Sequence, residues 1–195
     1  PIVLHGNTVI NGNGAGLHTE GVEYVFYAEG ADNIKISDIF INGGTEYGIY
    51  LAGCDRIKLT GNTIKGCGQK AISITGVSDG VIIRGNTICD NQSGAVYIAG
   101  SVTNGLIESN MIKNNHGNDR LASGIVMTDT MQPEYPHDLI IRDNKIEDND
   151  AAGIYSDGAY MGYVLNNTVC GNQKEGINLC HGTVGFYLSR NTIRL

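Results

Sequence analysis

Asp129, Asp157 and His181 each stand just after a short apolar segment, at nearly the same point of a recurring pattern, with Lys174 and Glu175 on the other side of the last such segment. Two carboxylates brought within roughly 5–10 Å by neighbouring repeats could act as acid and base on a glycosidic bond. A histidine beside them could instead take a proton in a lyase reaction. Lys174, and Arg120 in a long insertion, are cations of the kind that neutralise a uronate carboxylate. A file of tyrosines, Tyr27, Tyr50, Tyr97 and Tyr155, recurs within the same segments and offers apolar ring faces with hydroxyls for sugar stacking. The competing explanation is structural, since aspartates decorate turns and sheets favour tyrosine.

The elements that must position these residues are visible when the chain is laid over itself. The phrase apolar-x-apolar-x-x-Asn-x-apolar recurs, as in Ile57-Lys58-Leu59-Thr60-Gly61-Asn62-Thr63-Ile64 and Val81-Ile82-Ile83-Arg84-Gly85-Asn86-Thr87-Ile88. Its asparagine falls at positions 7, 62, 86, 110, 144, 167 and 191, with Ile39 in one copy, which gives a period of 23–24 residues and longer loops in the first and fifth coils. A second phrase follows each one, such as Gly48-Ile49-Tyr50-Leu51 and Gly153-Ile154-Tyr155-Ser156. Alternation is period two, no 3.6-residue apolar stripe is sustained, and Gly, Asn and Asp separate the segments. Leucine-rich repeats would need several leucines per repeat, whereas these columns hold mainly Ile and Val.

The spacing predicts an all-β fold, a right-handed parallel β-helix of about eight coils spanning residues 1–195 as one segment. One inward ladder is predicted to run Ile2, Ile34, Ile57, Val81, Gly105, Leu139, Gly162, Phe186, and its partner Leu4, Ile36, Leu59, Ile83, Ile107, Ile141, Val164, Leu188. The asparagine column is assigned to tight turns, where Asn tolerates left-handed backbone and its amides bond from coil to coil. Neither end carries a capping helix, so the expectation is a portion of a longer protein, or ends covered by partner chains, for example in a homotrimer, or by flanking domains.

Composition limits the partners. Of 195 residues 28 are Gly and 3 are Pro, which excludes collagen and Pro-rich disorder. A net charge of −7 with no basic cluster argues against nucleic acid, and no apolar run is long enough for membrane insertion. Five cysteines, Cys54, Cys67, Cys89, Cys170 and Cys180, lack paired metal-ligand spacing. Cys89 and Cys170 share a column but sit three coils apart, roughly 14 Å, too far for a disulfide. Free thiols point to assembly in a reducing compartment. The acidic run Glu147-Asp148-Asn149-Asp150 reads as a polar corner, and neither a metal nor a cofactor is expected.

The Asn-Thr-Ile turn repeats resemble the parallel β-helix repeat superfamily that includes alginate C5-epimerase modules, polysaccharide lyases, copper-site accessory proteins of the nitrous oxide reductase system and phage tailspikes. The resemblance spans essentially the whole chain and implies the fold more specifically than the activity. In the epimerases a Tyr-Gly-Phe-Asp-Pro-His motif carries catalysis; its best counterpart here, Tyr47-Gly48-Ile49-Tyr50-Leu51-Ala52, has Tyr50 and Ala52 in place of the Asp and His. Alginate epimerisation is therefore disfavoured.

The resulting expectation is a β-helix at the cell exterior or on a virion surface that binds an acidic or surface polysaccharide along one sheet face and cleaves it as a lyase or glycoside hydrolase. Asp129, Asp157, His181 and Lys174 are its expected chemical groups. Tyr27, Tyr50, Tyr97, Tyr155, Arg120 and Glu175 are its expected binding groups, helped by the insertion between Asn114 and Pro136. The alternative is a non-catalytic structural or receptor-binding segment of a fibre, spike or cell-surface protein.

Overall fold

The structure, a computed structural model, describes residues 1–129 and 135–194. Each coil adds a strand to each of three parallel sheets, and two coils add a further short strand, Ser78–Asp79 and Val102–Thr103, to the second. The first sheet stacks Ile2–Val3, Tyr24–Glu29, Tyr47–Ala52, Ile72–Thr75, Val96–Ala99, Ile125–Thr128, Ile154–Asp157 and Ile177–Cys180, in chain order. The second carries, from coil to coil, Val9–Asn11, Lys35–Ser37, Lys58–Thr60, Ile82–Arg84, Leu106–Glu108, His137–Arg142, Tyr160–Leu165 and Val184–Ser189, and the third runs from Gly16–Thr19 to Thr192–Arg194. Among the described residues the only helical turn is a 3₁₀ turn at Arg120–Ala122. The expected eight-coil β-solenoid is thus the observed architecture.

Strand alternation turns one side chain in two inward, so each sheet delivers a column of Ile, Leu or Val to a shared core. Ile34, Ile36, Ile57, Leu59, Ile83 and Ile141 are all essentially inaccessible to solvent. Each such burial is worth about 1.5–3 kcal/mol. The two glycines in the inward ladder are filled from the next coil. A Cβ on Gly105 would collide with the Leu139 side chain, and one on Gly162 with the Phe186 ring. A small residue under a large one keeps the column close-packed.

The first coil departs from the predicted register. Ile2 pairs with Phe26 in the first sheet, and Ile10, not Leu4, faces Ile36 in the second. Ile2 is 44% exposed although it lies opposite the buried Phe26, because its strand is the first of that sheet. Leu4 is still buried, but as the continuation of a first-sheet strand, its N–H bonded to the Tyr27 carbonyl. Asn7 therefore leaves the asparagine column; it lies beside Asn33, whose Nδ2 donates to its Oδ1 at 2.9 Å. The glycine-rich Gly12–Ala15 stretch makes the corner instead.

The asparagine column is the expected ladder of amides bonded from coil to coil, but its residues do not themselves take the left-handed backbone expected of them. Asn62, Asn86, Asn110, Asn144 and Asn167 are buried, and left-handed φ belongs to the residue before each, as in Gly61, Gly85, Ser109, Asp143 and Asn166. Each buried amide does the work of a missing backbone partner. Asn86 Nδ2 donates to Asn110 Oδ1 at 3.0 Å and to the Leu59 carbonyl at 2.9 Å, and Asn86 N–H donates to the same Asn110 oxygen. Backbone polar groups at a corner cannot all find ladder partners, and the amide satisfies them without water. A second ladder, Asn91, Asn115, Asn149 and Asn172, does the same at the opposite end of the third sheet.

Candidate functional site

Outward positions of the first sheet carry the predicted column in register: Tyr27 beside Tyr50, Ser73 between Tyr50 and Tyr97, then Val126, Tyr155 and Asn178. Tyr155 and Asp157 are two apart on one strand and so project from the same side. The Tyr155 hydroxyl donates to Asp157 Oδ2 at 3.0 Å. That oxygen also lies 3.4 Å from Nδ1 of His181.

His181 reaches Asp157 through the turn that follows the last strand of the sheet. The register places Cys180, not His181, opposite Asp157. His181 and Gly182 both adopt left-handed φ, 44° and 89°, and the Thr183 N–H closes the turn onto the Cys180 carbonyl at 3.0 Å. Successive positive φ values are the signature of a type I′ turn, and a histidine there is strained. The turn leaves the imidazole 61% exposed, with the Cys180 thiol 3.2 Å from the same Nδ1. Nδ1 bonds the Cys180 sulfur, whose own proton points to the Ser156 carbonyl at 3.4 Å; with the Nδ1 proton on that sulfur, Nε2 is free to accept a proton.

The insertion folds back over this part of the sheet. Arg120, in its 3₁₀ turn, directs Nη1 to the Tyr155 hydroxyl at 3.4 Å and lies over the Tyr155 ring at 6.0 Å. Lys174 Nζ donates to the Asn118 carbonyl, and Asp150 holds both the His116 ring and the Gly117 N–H. Gly158 is needed because a Cβ there would strike the Tyr135 ring, where the insertion returns. Together Asp119, Arg120, Leu121, Thr128, Tyr155, Asp157 and His181 line an open groove of about 580 Å³.

Electrostatics assign the protons. Burial, then the Cys180 thiol and Asp157, push the Tyr155 phenol well above its ordinary range, so it stays protonated. Hydrogen bonding to Tyr155 likewise holds Arg120 firmly charged. A neutral phenol, an imidazole beside a carboxylate and a guanidinium therefore meet in one groove.

At the other end of the same face, Tyr24, Tyr27, Tyr47 and Tyr50 form a platform. Tyr27 and Tyr50 stack at 5.9 Å, and Tyr24 and Tyr47 at 5.7 Å. Tyr24 and Tyr47 are not among the sequence-predicted residues, although they recur three positions before Tyr27 and Tyr50. Between platform and groove lie Tyr97 and Lys70, whose Nζ is 5.0 Å from the Tyr97 ring centre.

Residues 21–193 match the family model described as "Right handed beta helix region". The chain belongs to the right-handed β-helix family. Among solved structures, this β-helix is similar to the periplasmic alginate epimerase AlgG, with a TM-score of 0.65 at 14% identity over 87% of this chain and 47% of that one. It is also similar to the mannuronan C-5 epimerase AlgE6 A-module of Azotobacter vinelandii, with a TM-score of 0.54 at 14% identity over 98% of this chain and 57% of that one. The chain thus spans about half the length of these epimerases, and at such identity the likeness is one of fold. No curated protein matches it in sequence.

The predicted residues of the β-helix divide into those brought together and those held apart. Asp157, His181, Tyr155 and Arg120 converge. Asp129 lies one coil nearer the platform, close enough to Tyr97 to raise its phenol pKa after burial does so. Lys174 is engaged by the insertion backbone, and Glu175 is exposed away from the groove-lining residues. Tyr155, expected as a stacking surface, is only 2% exposed and offers its hydroxyl rather than its face. The insertion's residues 130–134 lie outside the described residues. All five cysteines are free, and burial pushes the Cys67 thiol up to about 12.

Proposed function

We propose that this β-helix is a polysaccharide lyase, binding an extended acidic polysaccharide along the outer face of the first sheet and cleaving it by β-elimination. The observation that carries the reading is Asp157 Oδ2, which accepts from the Tyr155 hydroxyl and lies 3.4 Å from the His181 imidazole, beneath Arg120. His181 Nε2 takes the C5 proton of a uronate ring as the C5–H bond breaks. The electron pair forms a C4=C5 bond, the C4–O bond breaks, and the Tyr155 phenol protonates the departing oxygen. Arg120 pairs with the uronate carboxylate, where negative charge builds up as the proton leaves. Asp157, 3.4 Å away, stabilises the imidazolium that forms as His181 takes the proton.

Elimination is favoured over glycoside hydrolysis because the carboxylate in the groove is engaged by an imidazole and a phenol, whereas Asp129, the expected second carboxylate, stands beside Tyr97. The resemblance to enzymes titled alginate and mannuronan epimerases supports a uronate polymer as substrate, since epimerisation also begins by removing the C5 proton. The tyrosine platform favours a glycan that continues towards the N-terminal coils.

Incubating the protein with alginate, polygalacturonate and bacterial capsular polysaccharides, with dextran as neutral control, tests this. Unsaturated uronate absorbance should appear with an acidic polymer and vanish in His181→Ala at unchanged thermal stability. Binding without turnover would select the recognition-segment alternative.

A further inference from the structure

Lys70 is a buried charge that the reaction above leaves unused. It is 8% exposed, and among the described residues no side-chain hydrogen bond or ion pair holds its ammonium. Its contact is the Tyr97 ring, 5.0 Å from Nζ. Asp119 acts on it through space without coming within ion-pair distance, and dehydration of the side chain lowers the pKa of the amine. A cation–π contact with one ring offsets only part of the cost of dehydrating an ammonium, so among the described residues the arrangement lacks an anion in contact.

The position of that anion follows from the register. Lys70 precedes Ile72–Thr75, which pairs with Val96–Ala99, then Ile125–Thr128, then Ile154–Asp157. Three strand spacings put Lys70 roughly 14 Å along the solenoid axis from Tyr155. An extended glycan crosses that distance in a few rings. Lys70 also lies on the outer face between the tyrosine platform and the groove, and Asp119 links the two by lining the groove while facing the amine.

We propose that Lys70, held in place by Tyr97, is a carboxylate-binding subsite for an acidic sugar ring a few residues towards the platform from the ring that reacts. The subsite selects polyuronates over neutral glycans at the level of binding. This rests on the acidic-polysaccharide reading above and names a specificity-determining residue within it. Lys70 touches no reacting atom and is a positioning residue.

The test separates binding from turnover. Affinity for polygalacturonate and for dextran is measured in Asp157→Asn protein, with and without Lys70→Met. The expected result is a roughly tenfold or greater loss of polygalacturonate affinity on adding Lys70→Met, as for a lost charge-assisted contact, with dextran binding unchanged. In otherwise native protein, Lys70→Met should raise KM for the polymer and leave kcat within about twofold. Methionine replaces a dehydrated ammonium, so the melting temperature should stay level or rise. As a second measurement on the native chain, acylation of Lys70 by a succinimidyl ester, followed by mass spectrometry, should be slowed by oligogalacturonate and unaffected by a dextran oligomer. Equal affinity of the two proteins, or acylation that oligogalacturonate does not slow, overturns the subsite while leaving the catalytic assignment intact. Absence of polygalacturonate binding in both proteins overturns the subsite together with the reading it rests on.

Discussion

The hydroxyl of Tyr155 donates to Asp157 two residues later on the same strand, at 3.0 Å, in an outward pair that the insertion covers with Arg120. Outward i, i+2 neighbours of a solvated strand ordinarily point to water. Here the covering loop leaves Tyr155 2% exposed and converts a surface pair into the floor of a groove.

Asp157→Asn should keep the fold and lower kcat roughly 100-fold or more, because an amide no longer stabilises the His181 imidazolium that forms when the proton is taken. Tyr155→Phe should cost a similar factor by removing the proton donor. Steady-state kinetics on a polyuronate, with circular dichroism as the folding control, checks both. Near-native kcat in Asp157→Asn would remove that carboxylate from the mechanism.

The raised Tyr155 pKa makes stability depend on alkaline pH. The folded phenol binds its proton more tightly than the unfolded one, whose pKa is near 10.0. The stability linked to it is fully present below that pH and lost as pH rises towards the folded value. Urea unfolding from pH 8 to 11 should show a decline that Tyr155→Phe reduces, and ultraviolet titration should show one tyrosine ionising last.

Asn110→Ala should be among the costlier single substitutions in the corners. It strips partners from Asn86 N–H and Nδ2, from the Ile83 carbonyl and from Asn144 Oδ1. Leaving buried polar groups unsatisfied costs about 1–3 kcal/mol each, so a loss of about 3 kcal/mol or more is expected in urea titrations. Asn33→Ala, at an exposed residue with φ of 57° whose amide bonds Asn7 and Arg56, should cost less, about 1–2 kcal/mol, mainly through backbone strain.

Thiol reactivity should sort the cysteines by burial. Burial raises Cys67 to about 12, and burial with neighbouring Asp90 raises Cys89 to about 11. Neither should react with iodoacetamide at pH 8 in folded protein, since the thiolate is the nucleophile. Both should react after denaturation, as peptide mass spectrometry would record.

The repeat made the architecture legible because inward ladder positions and buried asparagines are dictated by coil geometry alone, coil after coil. Leu59, Ile83 and Ile107 stack as their spacing required. The first coil misleads because Ile2-Val3-Leu4 fits the apolar-x-apolar phrase, whereas Val9-Ile10-Asn11, the strand that takes that place in the second sheet, does not. The ladder through Asn91, Asn115, Asn149 and Asn172 escaped notice although its spacing repeats that of the first, because no Ile or Val stands two places after these residues to mark them, as Ile64 marks Asn62. Asp157 and His181 were legible as neighbours by column. Their contact depends on a left-handed His181 that brings the ring back by one position, and the burial of Tyr155 depends on how the insertion folds over the sheet. Neither leaves a periodic trace in the sequence.

The central claim is that the groove breaks an acidic glycan by elimination. Digestion of polygalacturonate or alginate in water enriched in heavy oxygen, followed by mass spectrometry of the fragments, tests it most directly. Elimination uses no water, so the fragments should carry an unsaturated uronate at the non-reducing end and no heavy oxygen introduced by cleavage. Saturated fragments carrying heavy oxygen at the newly formed end, or polymer left uncut, would contradict it.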